Sequence, residues 1–264
     1  MQIWKDFEET CTKYLNDKFG DYAEFSHLGC SDSTKPDILV KLANDKNFYI
    51  DVKHSPAQCG QFVLIPNIER HVFEYSSKNV SPINIYSTKI IDFMNLNFET
   101  YRNAGTAGKD IKFPNSNEIF SNWIIKIYKE KGVKFFITND CIIFPVEQVK
   151  KYFYISAKYR IKRSGSCSVR RLRIEEIKDF ILSNDYSISS TKFIQNKLFV
   201  TSDKNIDKEK FILGKYEYMF AKNNNDYEVR QLSNTYNANV IFSIELKDSV
   251  SGMTDTDFIQ YLKS

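Results

Sequence analysis

The sequence predicts an α/β protein of the α+β kind, and three observations predict it. A helical repeat opens the chain, short paired strands follow, and beyond about residue 145 the apolar stretches shorten to strand length. The 264 residues are 42% apolar and 15% aromatic, enough for one large core or two smaller ones.

From Trp4 to Leu15 the apolar residues fall at 4, 7, 11, 14 and 15, which is helical spacing, and Gly20 is the expected stop. Ile38, Val40 and Leu42 then alternate as one face of a strand does. Asn44-Asp45-Lys46-Asn47 reads as a turn, and Phe48 to Val52 as a second strand. The pair predicts a hairpin with Asp37, Asp51 and Lys53 gathered at its open end. Gln61 to Pro66 is a short apolar element ended by proline. Helices are expected around Ile90–Tyr101 and Glu118–Tyr128, the second with Ile119, Phe120, Trp123, Ile124 and Ile127 on one side. Between them Asn103–Asp110 is a glycine-containing loop. Val133–Thr138 and Cys141–Phe144 predict a hairpin across Asn139-Asp140.

After residue 146 the stretches Tyr152–Ile155, Phe193–Val200, Phe211–Phe220 and Val240–Leu246 alternate with polar turns, predicting a strand-rich half. The expected division is therefore 1–146 and 147–264, as two bodies or one continuous one.

Composition narrows the function. No run of about eighteen apolar residues exists to make a membrane helix, and Met1–Asp6 lacks a signal-peptide pattern. A soluble, cytoplasmic protein is the expectation. Five scattered cysteines with no C-x-x-C pair predict reduced, mostly buried thiols rather than disulfides or a zinc site. Three histidines, none in H-x-x-x-H spacing, argue against histidine-metal nucleases and zinc hydrolases. Net charge is only +4, but residues 150–173 carry nine Lys or Arg and no acid, so a local positive field survives.

The chemistry-bearing residues are Asp37, at the start of one strand, and Asp51 and Lys53, at the end of the next. Strand alternation puts 51 and 53 on one face and turns Val52 into the core behind. Phosphodiester hydrolysis must neutralise an anionic phosphate, deprotonate a water and stabilise the departing oxygen. Asp37, Asp51 and the Val52 carbonyl are the hard oxygen ligands a Mg²⁺ ion takes. Lys53 beside it would orient the attacking water and balance charge on phosphorus. Gln58 and Gln61, just beyond, are candidates to contact the phosphate or that water.

Pro36-Asp37 followed by Asp51-Val52-Lys53 resembles the signature of the PD-(D/E)xK nuclease superfamily, covering roughly the first 65 residues by motif. Asp51 stands where Glu is more frequent, and both are accepted there. The resemblance implies a restriction-endonuclease-like core, a central mixed β-sheet flanked by helices. It also implies Mg²⁺-dependent hydrolysis, with Mn²⁺ as a substitute, and metal ligation by the two acids. An acid on the first helix belongs to the same pattern; Glu8, next to the face of Trp4, Cys11 and Leu15, is preferred to Glu9.

The basic stretch supplies a DNA surface. Lys158, Arg160, Lys162, Arg163, Arg170, Arg171 and Arg173 would neutralise phosphates or grip guanine edges. Ser164 and Ser166, around Gly165, would bond phosphate or bases at close backbone approach. Lys109 in the glycine loop is a secondary candidate. A nuclease core followed by a strand-rich reading half resembles a type II restriction endonuclease, which implies sequence-specific cleavage of double-stranded DNA by a homodimer. Two other readings stand beside it. A structure-specific repair or recombination nuclease of resolvase kind needs no extended reading half. In a non-catalytic nucleic-acid-binding protein the acid pair would be incidental.

Overall fold

The computed structural model describes residues 3–28, 36–163, 165–233 and 236–264; Cys30, Ser164 and the side chain of Arg163 lie outside this description. The chain begins with α1 (Ile3–Phe19), which ends where a β-carbon on Gly20 would lie 2.4 Å from the Asn16 carbonyl oxygen. Next come β1 (Ala23–His27), β2 (Ile38–Leu42) and β3 (Asn47–Lys53), then β4 (Ala57–Asn67) and β5 (Val72–Tyr75). The middle is helical, with α2 (Ile85–Leu96), α3 (Phe98–Arg102), the two-residue β6 (Lys109–Asp110) and α4 (Ser116–Glu130). β7 (Val133–Thr138), β8 (Ile143–Pro145), α5 (Val149–Tyr152) and β9 (Phe153–Arg163) follow.

Sheet one has the order β1-β2-β3-β7-β8, mixed because β3 and β7 run parallel while the other pairs are antiparallel. The expected hairpin between β2 and β3 is present, with Ile38 opposite Ile50. So is the hairpin across Asn139-Asp140, where Asp140 takes a left-handed φ of 60°. On one face of this sheet, Cys11, Leu15 and Phe19 of α1 pack with Phe25, Ile38, Val40, Ile50 and Ile137. Each fully buried large apolar side chain contributes ~2 kcal/mol.

Sheet two has the order β5-β4-β16-β9-β6, where β16 (Tyr236–Leu246) is a late strand that returns to this body. Helix α4 serves both sheets: Tyr128 meets Phe136 of β7 edge-on at 4.8 Å, and Trp123 stacks on Phe242 of β16 at 4.1 Å. Gly60 permits this approach. Its φ is +95°, and a β-carbon there would sit 2.9 Å from the Trp123 ring.

Residues 161–237 form a second compact unit, whereas Met1–Arg160 and Ala238–Ser264 form the first. The compact units therefore do not divide at residue 146, since 147–160 and the C-terminal strand and helix belong with the first. The second unit holds β10 (Ser166–Ser168), α6 (Ile174–Ser183) and β11 (Ile188–Ile194). It continues with β12 (Lys197–Ser202), β13 (Lys210–Leu213), β14 (Tyr216–Asn223) and β15 (Asp226–Leu232). Its strands form a sheet of order β11-β12-β15-β14-β13 with β10 added against β15. Ile177 and Ile181 of α6 pack with Leu198, Val200, Phe220 and Val229. After β16, α7 (Asp255–Leu262) closes the chain, with Phe258 and Leu262 in the core beside α1.

Three expectations change. Phe193–Val200 and Phe211–Phe220 are each two strands, turned at Gln195-Asn196 and at Gly214, all with positive φ. The helix expected over Ile90–Tyr101 breaks at Asn97, whose side chain donates to the Phe93 carbonyl at 2.9 Å and competes with the backbone ladder. Of the four described cysteines, Cys11 and Cys59 are buried while Cys167 is exposed, and all four are free thiols.

Candidate active site

Three side chains converge at the end of the β2–β3 hairpin. The Val52 backbone N–H donates to Asp37 Oδ2 at 2.7 Å, anchoring the carboxylate that precedes β2 against β3. On β3, Asp51 and Lys53 share the face opposite Val52, which packs against the α1 core. The Lys53 ammonium forms an ion pair with Asp51 Oδ2, and both side chains are nearly buried, at 12% and 11% exposure. Phe136 stands beside Asp51 on β7, and Tyr128 of α4 meets the Phe136 ring edge-on.

The electrostatics are those of charges withheld from water. Burial, then the neighbouring Asp51, pushes the Asp37 carboxyl up to about 7, although the Val52 N–H and Lys53 pull the other way. Burial alone would push Lys53 down, but Asp51 outweighs it and keeps the ammonium charged well above neutral pH. Asp51 Oδ2 is buried and has no partner with hydrogen-bond geometry, only the Lys53 charge. Two crowded carboxylates, largely withheld from water, fit a divalent cation, which would relieve their repulsion. Asp37, Asp51 and the Val52 carbonyl are the groups that could hold it. Among the described residues no three His, Cys, Asp or Glu side chains cluster as a metal set.

No family model matches the chain, and no curated protein does. Among solved structures, the HhaI endonuclease in complex with DNA is 42% identical, with 98% of this chain and 97% of that one covered and a TM-score of 0.73. The chain belongs to the HhaI endonuclease family. Its fold is that of type II restriction endonucleases, a mixed central sheet flanked by helices.

Within this family fold the sequence candidates separate. Asp37, Asp51 and Lys53 come together. Glu8 on α1 is largely buried and lies within electrostatic reach of Asp37; its Oε2 is 3.1 Å from His27 Nε2. It does not join the two acids as a third member of one carboxylate cluster. Gln61 and Gln58 are exposed on β4 and bonded to each other at 3.2 Å.

The basic stretch is not one reading loop. Lys158 and Arg160 sit on β9 in the first unit, where with Gln58, Lys112 and Ser243 they line a groove of about 580 Å³. Arg160 Nε there is buried without a partner. Lys109 is exposed on β6, opposite Tyr159 of β9. Lys162, Arg170 and Arg171 are exposed in the second unit. Arg173 and Ser166 are already engaged. Arg173 binds Glu176 at 3.0 and 3.1 Å, donates to Tyr218 Oη at 2.6 Å and lies over the Tyr216 ring. Ser166 Oγ accepts from Arg230 Nε at 2.7 Å.

Sequence reasoning missed the lining around the lysine. Cys59 of β4 is fully buried beside Lys53, and burial pushes its thiol up to about 12. It lies within electrostatic reach of the Tyr128 hydroxyl. Nothing local in the sequence joins positions 53, 59, 128 and 136. His27, the partner of Glu8, carries no motif either.

Proposed function

We propose that this chain is a Mg²⁺-dependent, sequence-specific endonuclease that hydrolyses phosphodiester bonds of double-stranded DNA, with its work done at Asp37, Asp51 and Lys53 in the cytoplasm. One observation carries the site assignment: the 2.7 Å bond from Val52 N–H to Asp37, which ties the first acid to the strand bearing the other two groups.

Asp37, Asp51 and the Val52 carbonyl would hold the cation, which supplies positive charge against the phosphate. The remaining work falls to the protein's own groups. Lys53, charged at neutral pH, acts as a hydrogen-bond donor and cation rather than a base; it orients water and offsets charge gathering on phosphorus. Glu8, held by His27, keeps an acceptor near Asp37 for a water proton. Lys158 and Arg160 in the groove, Lys109 beside it, and Lys162, Arg170 and Arg171 on the second unit would meet the DNA backbone or base edges. Mn²⁺, with similar oxygen preference, would replace Mg²⁺.

The test is incubation of unmethylated plasmid or phage DNA with the protein and Mg²⁺. Discrete fragments are expected, with none in EDTA or from Asp51→Ala. A smear would point to a nuclease without sequence specificity, and intact DNA under every divalent metal to a binding protein. Among the described residues the chain carries one such site, so a double-strand cut needs either a homodimer or two successive nicks. Nicked-circle accumulation against enzyme concentration separates the two.

A further inference from the structure

The Lys53 ammonium has more partners than its ion pair requires. Its Nζ lies 5.5 Å from the centre of the Tyr128 ring and 5.9 Å from that of Phe136. Tyr128 and Phe136 are 5% and 0% exposed, and Cys59, also at 0%, lies within electrostatic reach of the ammonium. Burial on every side holds the Tyr128 ring in place. An ammonium facing desolvated aromatic rings is attracted by their quadrupoles, most strongly where water is excluded. This matters because Asp51 has two claims on it. A cation held by Asp37 and Asp51 would compete with Lys53 for that carboxylate, and the rings would then help to keep the amine in place.

We propose that Tyr128, with Phe136, is a positioning residue that holds the Lys53 ammonium over its ring while Asp51 is engaged by metal. Tyr128 touches neither phosphate nor water and acts only through the lysine. The inference rests on Lys53 being the catalytic cation of the proposed function.

Rings shield a group above their faces, so the Lys53 ε-methylene protons should resonate upfield of ordinary lysine in protein labelled with ¹³C-lysine, assigned through Lys53→Arg. The upfield signal should persist when Mg²⁺ is added. Tyr128→Leu should lose it and cut about tenfold more slowly in kcat, with KM and DNA affinity in Ca²⁺ little changed. Tyr128→Phe, which keeps the ring, should recover most of that loss. If Tyr128→Leu does not fold, Phe136→Leu reads the same box from β7. An unshifted signal in the wild-type protein, or one that reverts when Mg²⁺ binds, would overturn the proposal. So would a Phe variant as slow as the Leu variant. Full cutting by Lys53→Ala would overturn this inference together with the site assignment. A dead Lys53→Ala beside an unaffected Tyr128→Leu would remove the positioning role alone.

Discussion

Val52 and Asp37 are joined by a backbone N–H to carboxylate bond of 2.7 Å, so the residue between the second acid and the lysine also orients the first acid. A side chain in that middle position is free to pack into the core, since its contribution to the site comes through the backbone. Val52→Ala should therefore cost stability, about 1 kcal/mol or more, while kcat changes little. Denaturant unfolding and single-turnover cleavage check the two halves.

Asp37 sets a pH dependence on the metal-free protein. Its folded value, about 7, lies above the unfolded 3.8, so the folded state holds the proton more tightly. That contribution is fully present below the unfolded value and is lost as pH rises toward about 7. A shift of this size is worth roughly 4 kcal/mol. In EDTA, Tm should fall over this range by more in the wild type than in Asp37→Asn. The Asn variant should be the more stable at pH 8 and should not cut DNA.

The same carboxyl governs metal affinity. A cation needs the ionised form, so binding below about pH 7 must expel a proton. Calorimetric Mg²⁺ affinity should rise from pH 6 to pH 8 and flatten above. A flat profile across that interval would contradict the burial of this group.

The three proposed catalytic positions were legible because a hairpin makes them neighbours both in sequence and in space. Tyr128 and Phe136 were not, since they reach Lys53 only after α4 and β7 have packed, which spacing along the chain does not encode. β1 was missed because Ala23-Glu24-Phe25-Ser26-His27 offers one large apolar residue to an edge strand. α6 carries a weaker signal: Ile174, Ile177 and Ile181 recur at helical spacing, hidden among shorter apolar runs. Positive charge marked Arg173 for DNA, yet composition cannot tell a free guanidinium from one tied to Glu176 and Tyr218.

That distinction gives a contrast between arginines. Arg171→Ala, removing an exposed cation, should weaken DNA binding and lower the salt slope by about one if it meets a phosphate. Arg173→Ala should instead destabilise the second unit and leave the salt slope unaltered. Filter binding across a salt series together with thermal melts separates the two.

Gly60 should tolerate no side chain. Gly60→Ala places a methyl 2.9 Å from the Trp123 ring at a φ of +95°, at a cost of about 2 kcal/mol or more. Lowered Tm is the expected readout. Trp123→Phe in the same background should return part of it by giving the methyl room.

The chain leaves its first body at Arg160 and re-enters at Ala238, on two strands, β9 and β16, that are side by side in one sheet. Residues 161–237 are thus plugged into the host between adjacent strands, as a cassette. Genetic exchange at those two seams could swap, shrink or delete the cassette without re-threading the sheet, so one catalytic chassis could carry different attachments in different lineages.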